Sequence, residues 1–233
     1  RLPARIETGG GRTHRGPQRG VVCGARLLNP PRLKTHRTMY IAQAKRKENI
    51  AEYILYLWQL EDLLRALQFS PEAIWTQLVA PQAGDDPRRQ NDLLMWYVDL
   101  GSLLREEGKT RSGHLDHTLH LIADLNDLHT ELLKAPARAR YRALYARLQP
   151  ELPRLRALIG KADLSDTELA FRVLYAAMLY RIKGDDAHRK AVTDSLELVS
   201  PVIGELARIF HLVEKGELDI WKEPDDEKDA PSC

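Results

Sequence analysis

The stretch IAEYILYLWQLEDLLRAL, residues 50–67, decides the fold class. Its apolar residues Ile50, Tyr53, Ile54, Leu57, Leu60, Leu64 and Leu67 recur at steps of three and four. That spacing lines one side of an α-helix and has none of the alternation a strand requires. With the residues on either side, it predicts one long helix over 41–68.

The same pattern recurs along the chain. Ser70-Pro71-Glu72 supplies an N-cap, a first-turn proline and a first-turn acid, predicting a short helix through Val79. A loop follows at Pro81, Gly84 and Asp85-Asp86-Pro87. Helices are then predicted over 88–107, closed by Gly108, and over 112–134, closed by Pro136. Residues 138–159 form one or two pieces divided at Pro150 and Pro153. Ser165-Asp166-Thr167-Glu168 is a capping-box pattern opening a helix that Gly184 ends. In the last segment Val192, Leu196, Val199, Ile203, Leu206, Phe210 and Val213 alternate steps of four and three. This is a heptad seam, with a kink or break expected at Pro201. The expected architecture is an all-α, single-domain bundle of six or seven helices with short connections over 39–221.

The net charge of +2 on 233 residues is unevenly spread. Residues 1–38 hold eight arginines and one lysine against Glu7, a net +8, which leaves −6 for the remainder. This Gly-, Pro- and Arg-rich segment lacks periodicity and is expected to be a disordered basic extension outside the native fold, with Met39 as the natural start. A nucleic-acid-binding arm and an Arg-rich transit peptide are the other readings. Residues 222–233 read as a disordered charged tail. Two cysteines, Cys23 and Cys233, exclude a disulfide framework or a cysteine-rich zinc module. No apolar run approaches a membrane span, and the expected location is the cytoplasm. No P-loop, Rossmann glycine fingerprint, nucleophile elbow, kinase motif set or His-Glu-x-x-His helix is present. No cofactor is expected.

Four of the eight histidines lie between His114 and His129. At about 100° per residue, His114, Thr118 and His129 fall inside the apolar arc of Leu115, Ile122, Leu125, Leu128, Leu132 and Leu133. His117, His120, Asp124, Asp127 and Glu131 fall on its flank. His117, His120 and Asp124 have the one-turn spacing of zinc or iron ligands, and equally that of a solvated face. Inward-facing histidines need partners, because an unpaired buried polar group costs about 1–3 kcal/mol. On the first helix Glu61 faces the same interior and Arg65 sits at its edge. The expectation is a buried polar cluster of Glu61, Arg65 and one or both of His114 and His129, either a ligand pocket or a network that sets helix register. Residues 134–161 carry eight basic residues and one acid, Glu151, a local patch for an anionic partner or a solvated face. Trp58, Trp75, Trp96 and Trp221 read as packing residues.

Residues 39–66, MYIAQAKRKENIAEYILYLWQLEDLLRA, resemble the opening of a bacterial domain-of-unknown-function family, number 4924. Glu107-Gly108-Lys109, Gly113-His114-Leu115 and Leu125-Asn126-Asp127-Leu128-His129 resemble its central helices. The resemblance covers about 39–215, and Arg46, Asn49, Glu52, Glu61, Asp62, Arg65, His114 and His129 fit its pattern. It implies an all-helical cytoplasmic protein and brings no catalytic residues. The first 38 residues and the arginine-rich 138–156 depart from it. The leading functional expectation is a non-enzymatic interaction or adaptor protein, a homo-oligomer or one with a protein partner, motivated by the heptad seam. The alternative is a small-ligand or metal-binding bundle, conceivably an enzyme, built on the polar cluster.

Overall fold

The structure, a computed structural model, describes residues 40–161, 163–183 and 189–222. These fall within one contact unit, Thr35–Cys233. The basic extension 1–38, the tail from 223 onward, both cysteines, Gly184 and the side chain of Val192 lie outside the described residues.

Among the described residues every regular element is helical. Eight helices have eight residues or more: α1 (Tyr40–Glu48), α2 (Ile50–Ala66), α3 (Pro87–Glu106), α4 (Asp116–Lys134), α5 (Ala139–Leu148), α6 (Leu152–Ile159), α7 (Asp166–Lys183) and α8 (Arg189–Glu214). A short helical segment, residues 71–83, links α2 to α3. The expected count of six or seven is therefore slightly low, and local chemistry explains the extra division.

The helix expected over 41–68 is two helices, because Asn49 leaves helical geometry at φ −154° and ψ 106°. Its side-chain oxygen accepts from the backbone N–H groups of Ala51 and Glu52. Asparagine competes for backbone donors in this way and so favours the cap position over the helix interior. The short segment runs past its expected end at Val79. A five-residue π turn, Trp75–Val79, joins two α turns, and Pro81 sits in the first turn of the second.

Two further boundaries differ from expectation. Helix α4 begins at Asp116, not Ser112, for reasons that belong to the candidate site. Helix α8 passes through Pro201 without a break. Proline leaves the carbonyl four residues back, that of Glu197, without its helical donor. Both Pro201 and Glu197 face solvent, so water can bond that carbonyl. The division of 138–159 at Pro150 and Pro153 is as expected. So is the cap of α7, where Ser165 Oγ accepts from Glu168 N at 3.1 Å.

Helix α7 is the centre of the bundle. It packs against α8, α4, α6 and α2, and Leu169, Ala170, Phe171, Val173, Tyr175 and Ala177 are buried around its circumference. A helix apolar on nearly all sides belongs in an interior. The heptad seam of α8 is spent on the same core: Val199, Ile203 and Leu206 are buried within the chain, with α7 and α5 as the main neighbours of α8. Helix α3 lies at the edge, packed chiefly on α2 and the 71–83 segment.

The Asn49 cap yields a direct expectation. Asn49→Ala should lower unfolding free energy by about 1 kcal/mol, and Asn49→Asp should retain most of it. Urea unfolding followed by far-ultraviolet circular dichroism measures both; an unchanged midpoint for Asn49→Ala would show that the break is not held by this cap.

Candidate functional site

Helix α4 starts without a side-chain cap, since the residue at its cap position is Leu115. The first N–H groups of any helix need acceptors from elsewhere, and here two carboxylates supply them. Glu61 of α2 accepts from Leu115 N at 3.2 Å. Glu107, beyond the end of α3, accepts from Asp116 N at 2.8 Å. Negative charge at a helix N-terminus also meets the positive end of the helix dipole. These tertiary acceptors set the start of α4 four residues later than the local sequence suggests.

Glu61 has no exposed surface. Its other oxygen is hydrogen-bonded to His114 Nδ1 at 2.8 Å, and Arg65 Nη2 approaches it at 3.8 Å. The His114 ring stacks on Trp58, with centroids 3.8 Å apart and planes 10° from parallel. Trp58 Nε1 donates to Thr118 Oγ1 at 3.0 Å, and Thr118 donates onward to the Leu115 carbonyl at 2.8 Å. Arg65 gives Nη1 to Asp62 at 2.7 Å, Nε to the Lys109 carbonyl at 3.1 Å and Nη2 to the Gly113 carbonyl at 2.5 Å. Tyr175 of α7 donates to Asp62 and to the Trp58 carbonyl. Burial pushes the Tyr175 hydroxyl far above the ordinary phenol range, and the Asp62 carboxylate adds to the shift.

Three of the four expected cluster members thus come together: Glu61, Arg65 and His114. The fourth, His129, is buried separately. Its Nδ1 is 2.6 Å from the Tyr141 hydroxyl, and Tyr145 packs edge-on against its ring. Tyr145 in turn donates to Asp166, which also pairs with Arg156. Burial lowers the His129 pKa below the ordinary imidazole value, against the pull of Asp166, and raises those of Tyr141 and Tyr145. The cavity beside His129 is only ≈ 10 Å³, about the space of one water. His114 stands just before the start of α4 and His129 lies in its fourth turn, which separates their partners.

The candidate metal ligands do not converge. His117, His120 and Asp124 are exposed, and His117 Nε2 meets the Tyr53 hydroxyl at 3.1 Å. Among the described residues no three His, Cys, Asp or Glu side chains are placed to hold a metal ion. Burial, followed by the charge of Arg46, lowers the His117 pKa.

Most of the basic residues of 134–161 have structural partners. Arg142 donates to the carbonyls of Ala135 and Pro136, Arg138 to those of Asp219 and Lys222, and Arg156 to that of Leu164. Arg154 and Lys134 pair with Glu151 and Glu131. Reading the sequence alone missed Thr118 as the acceptor for Trp58, Asp62 and Tyr175 as partners of Arg65 and α2, and the Tyr141–Tyr145–Asp166 chain. Asp62 and Arg65, three apart on one helix, were the one available signal.

The site has no solvent access at Glu61, and each group in it is held by another. What it does chemically is lock α2, α4 and the 108–115 loop in one register. Glu61→Ala should therefore cost about 3 kcal/mol and lower the thermal midpoint by roughly 6–12 °C, with Glu61→Gln milder because it keeps an oxygen toward Leu115. Calorimetry decides, and a loss near zero for Glu61→Ala would remove the network from the account of stability.

His129 makes a pH prediction. A histidine whose folded pKa is lowered takes up its proton more readily when unfolded. Stability should be flat above about pH 6.5 and fall as pH drops below it, before the carboxylates titrate. His117 acts in the same direction, so the His129→Gln variant should flatten the slope between pH 7 and pH 5 only in part. Chemical unfolding across that range tests it; identical slopes would exclude His129 as a contributor.

None of the curated proteins and none of the solved structures compared matches the chain. Residues 39–217, most of the chain and all of the site just described, match the family model of a domain of unknown function, DUF4924, and the chain belongs to that family.

Proposed function

We propose that this chain is a non-enzymatic interaction protein of the bacterial cytoplasm that associates with a second copy of itself, its folded part forming one domain over 39–221. The heptad seam of α8 lends this reading little support, since its middle residues Val199, Ile203 and Leu206 face the chain's own core. The support comes from α3.

Helix α3 buries Leu93, Trp96, Tyr97, Leu100 and Leu104 against its neighbours. On the outward side Met95 is 49% and Leu103 46% exposed. Around them stand Arg88, Asp99, Ser102 and Glu106, and with Met95 these fall within about 60° on the helix wheel. Exposed apolar side chains set among charged and polar ones are features of a contact face. Arg88 and Glu106 stand at opposite ends of the face, both exposed and neither with an ion-pair partner among the described residues. Two copies of α3 packed antiparallel about a two-fold axis would set Arg88 of each against Glu106 of the other, an isologous arrangement. This self-complementarity of charge is the observation that carries the proposal.

The enzyme and ligand readings built on Glu61, Arg65, His114 and His129 have less support, because Glu61 is inaccessible and the four residues do not form one group. A nucleic-acid role has less support too, because the arginines of 134–161 are largely committed to carbonyls and carboxylates. Among the described residues no helix is long and apolar enough to cross a membrane.

Light scattering of the 233-residue chain over a concentration series should give twice the 26.6 kDa monomer mass. The double substitution Met95→Glu and Leu103→Glu should return it to the monomer with an unchanged thermal midpoint. A strict monomer at every concentration overturns the proposal.

A further inference from the structure

Along one stripe of the central helix α7 the neighbouring helices leave a cleft. Leu174, Met178 and Arg181 lie within about 60° of one another on the helix wheel and line a cleft of ≈ 470 Å³. Gln59 of α2 and Leu196 of α8 form its walls. The volume lies in the range of small-molecule sites, which in helical bundles form between helices. It is far larger than the one-water cavity beside His129.

The chemistry of the lining is lopsided. Leu174, Met178 and Leu196 are half-buried apolar side chains packed along the cleft. Arg181 is exposed and has no hydrogen-bond or ion-pair partner among the described residues. This sets it apart from the many arginines of this chain that close loops or pair with carboxylates. Gln59 half-buries its amide there, with Nε2 turned to the Met178 thioether. A thioether is a weak acceptor, so an oxygen brought into the cleft would be a better partner for that amide. Among the described residues nothing acidic lines the cleft.

We propose that this cleft binds an aliphatic monocarboxylate, with its chain along Leu174, Met178 and Leu196 and its carboxylate on Arg181. The guanidinium fork matches a carboxylate in geometry and charge. The seven steps from Leu174 to Arg181 rise about 10 Å, the reach of a medium-chain acyl group. The site is separate from the Glu61 network and from the outer face of α3, and stands whether or not the chain self-associates.

Isothermal titration of the full chain with octanoate, octan-1-ol and octylammonium tests the assignment. Octanoate should bind saturably at one site per chain and more tightly than the alcohol or the amine. Arg181→Gln should weaken octanoate by roughly fivefold, the scale of an exposed ion pair, and leave the alcohol unchanged. Arg181→Glu should reverse the preference toward octylammonium. Arg181 is on the surface, so these variants keep the wild-type thermal midpoint. Absence of saturable octanoate binding overturns the proposal, and so does equal affinity for octanoate and octanol that Arg181→Gln does not alter.

Discussion

A carboxylate without exposed surface must be met by donors, and a helix without a side-chain cap must be met by acceptors. Glu61 and the start of α4 answer each other. Leaving either group alone in the interior costs about 1–3 kcal/mol, so the two elements are stable only in the crossing that joins them. Glu61 lies on α2 among Leu57, Leu60 and Leu64, all buried, and cannot turn to water without withdrawing that apolar face. The loop 108–115 is consequently drawn against α2, and Arg65 closes it by bonding the carbonyls of Lys109 and Gly113 near its two ends.

The same device recurs elsewhere. Arg142 closes the turn after α4 through the Ala135 and Pro136 carbonyls. Arg156 closes the connection to α7 through Leu164, and Arg138 ties down the segment after α8 through Asp219 and Lys222. Helix ends leave carbonyls without donors, and guanidinium presents five N–H groups in a fixed fork. An all-helical chain with many short connections has many such ends. Three of the arginines in 138–156 thus serve loop closure.

Periodicity conveyed which residues face inward, and that much was legible. Glu61, His114, Thr118 and His129 were placed on interior arcs from the spacing of their apolar neighbours, and all four are buried. The pairing of Glu61 with an inward histidine followed because a buried carboxylate and a buried imidazole each need a partner. Which of the two histidines joins Glu61 did not follow. A helix wheel collapses the axial coordinate, and His114 precedes α4 while His129 lies several turns along it, where different elements pack. The seam of α8 was misleading for a related reason, since spacing reveals that a stripe is apolar without revealing whose surface covers it.

Helix boundaries divide along the same line. The caps at Ser70, Asp86 and Ser165 are local side-chain-to-backbone bonds, spanning two or three residues and hence readable in order along the chain. Asn49 belongs with them, and its cap was there to be read. The start of α4 does not, because its acceptors come from residues far away in sequence or beyond the preceding helix end. Composition and apolar spacing determined an all-α chain and the inward face of each helix, since both follow from the 3.6-residue turn and the exclusion of oily side chains from water. Which inward groups meet, which arginines find partners and where a cleft opens beside the central helix were decided only by tertiary packing. Those outcomes depend on the axial offsets and neighbours of whole helices, and no local window of sequence contains them.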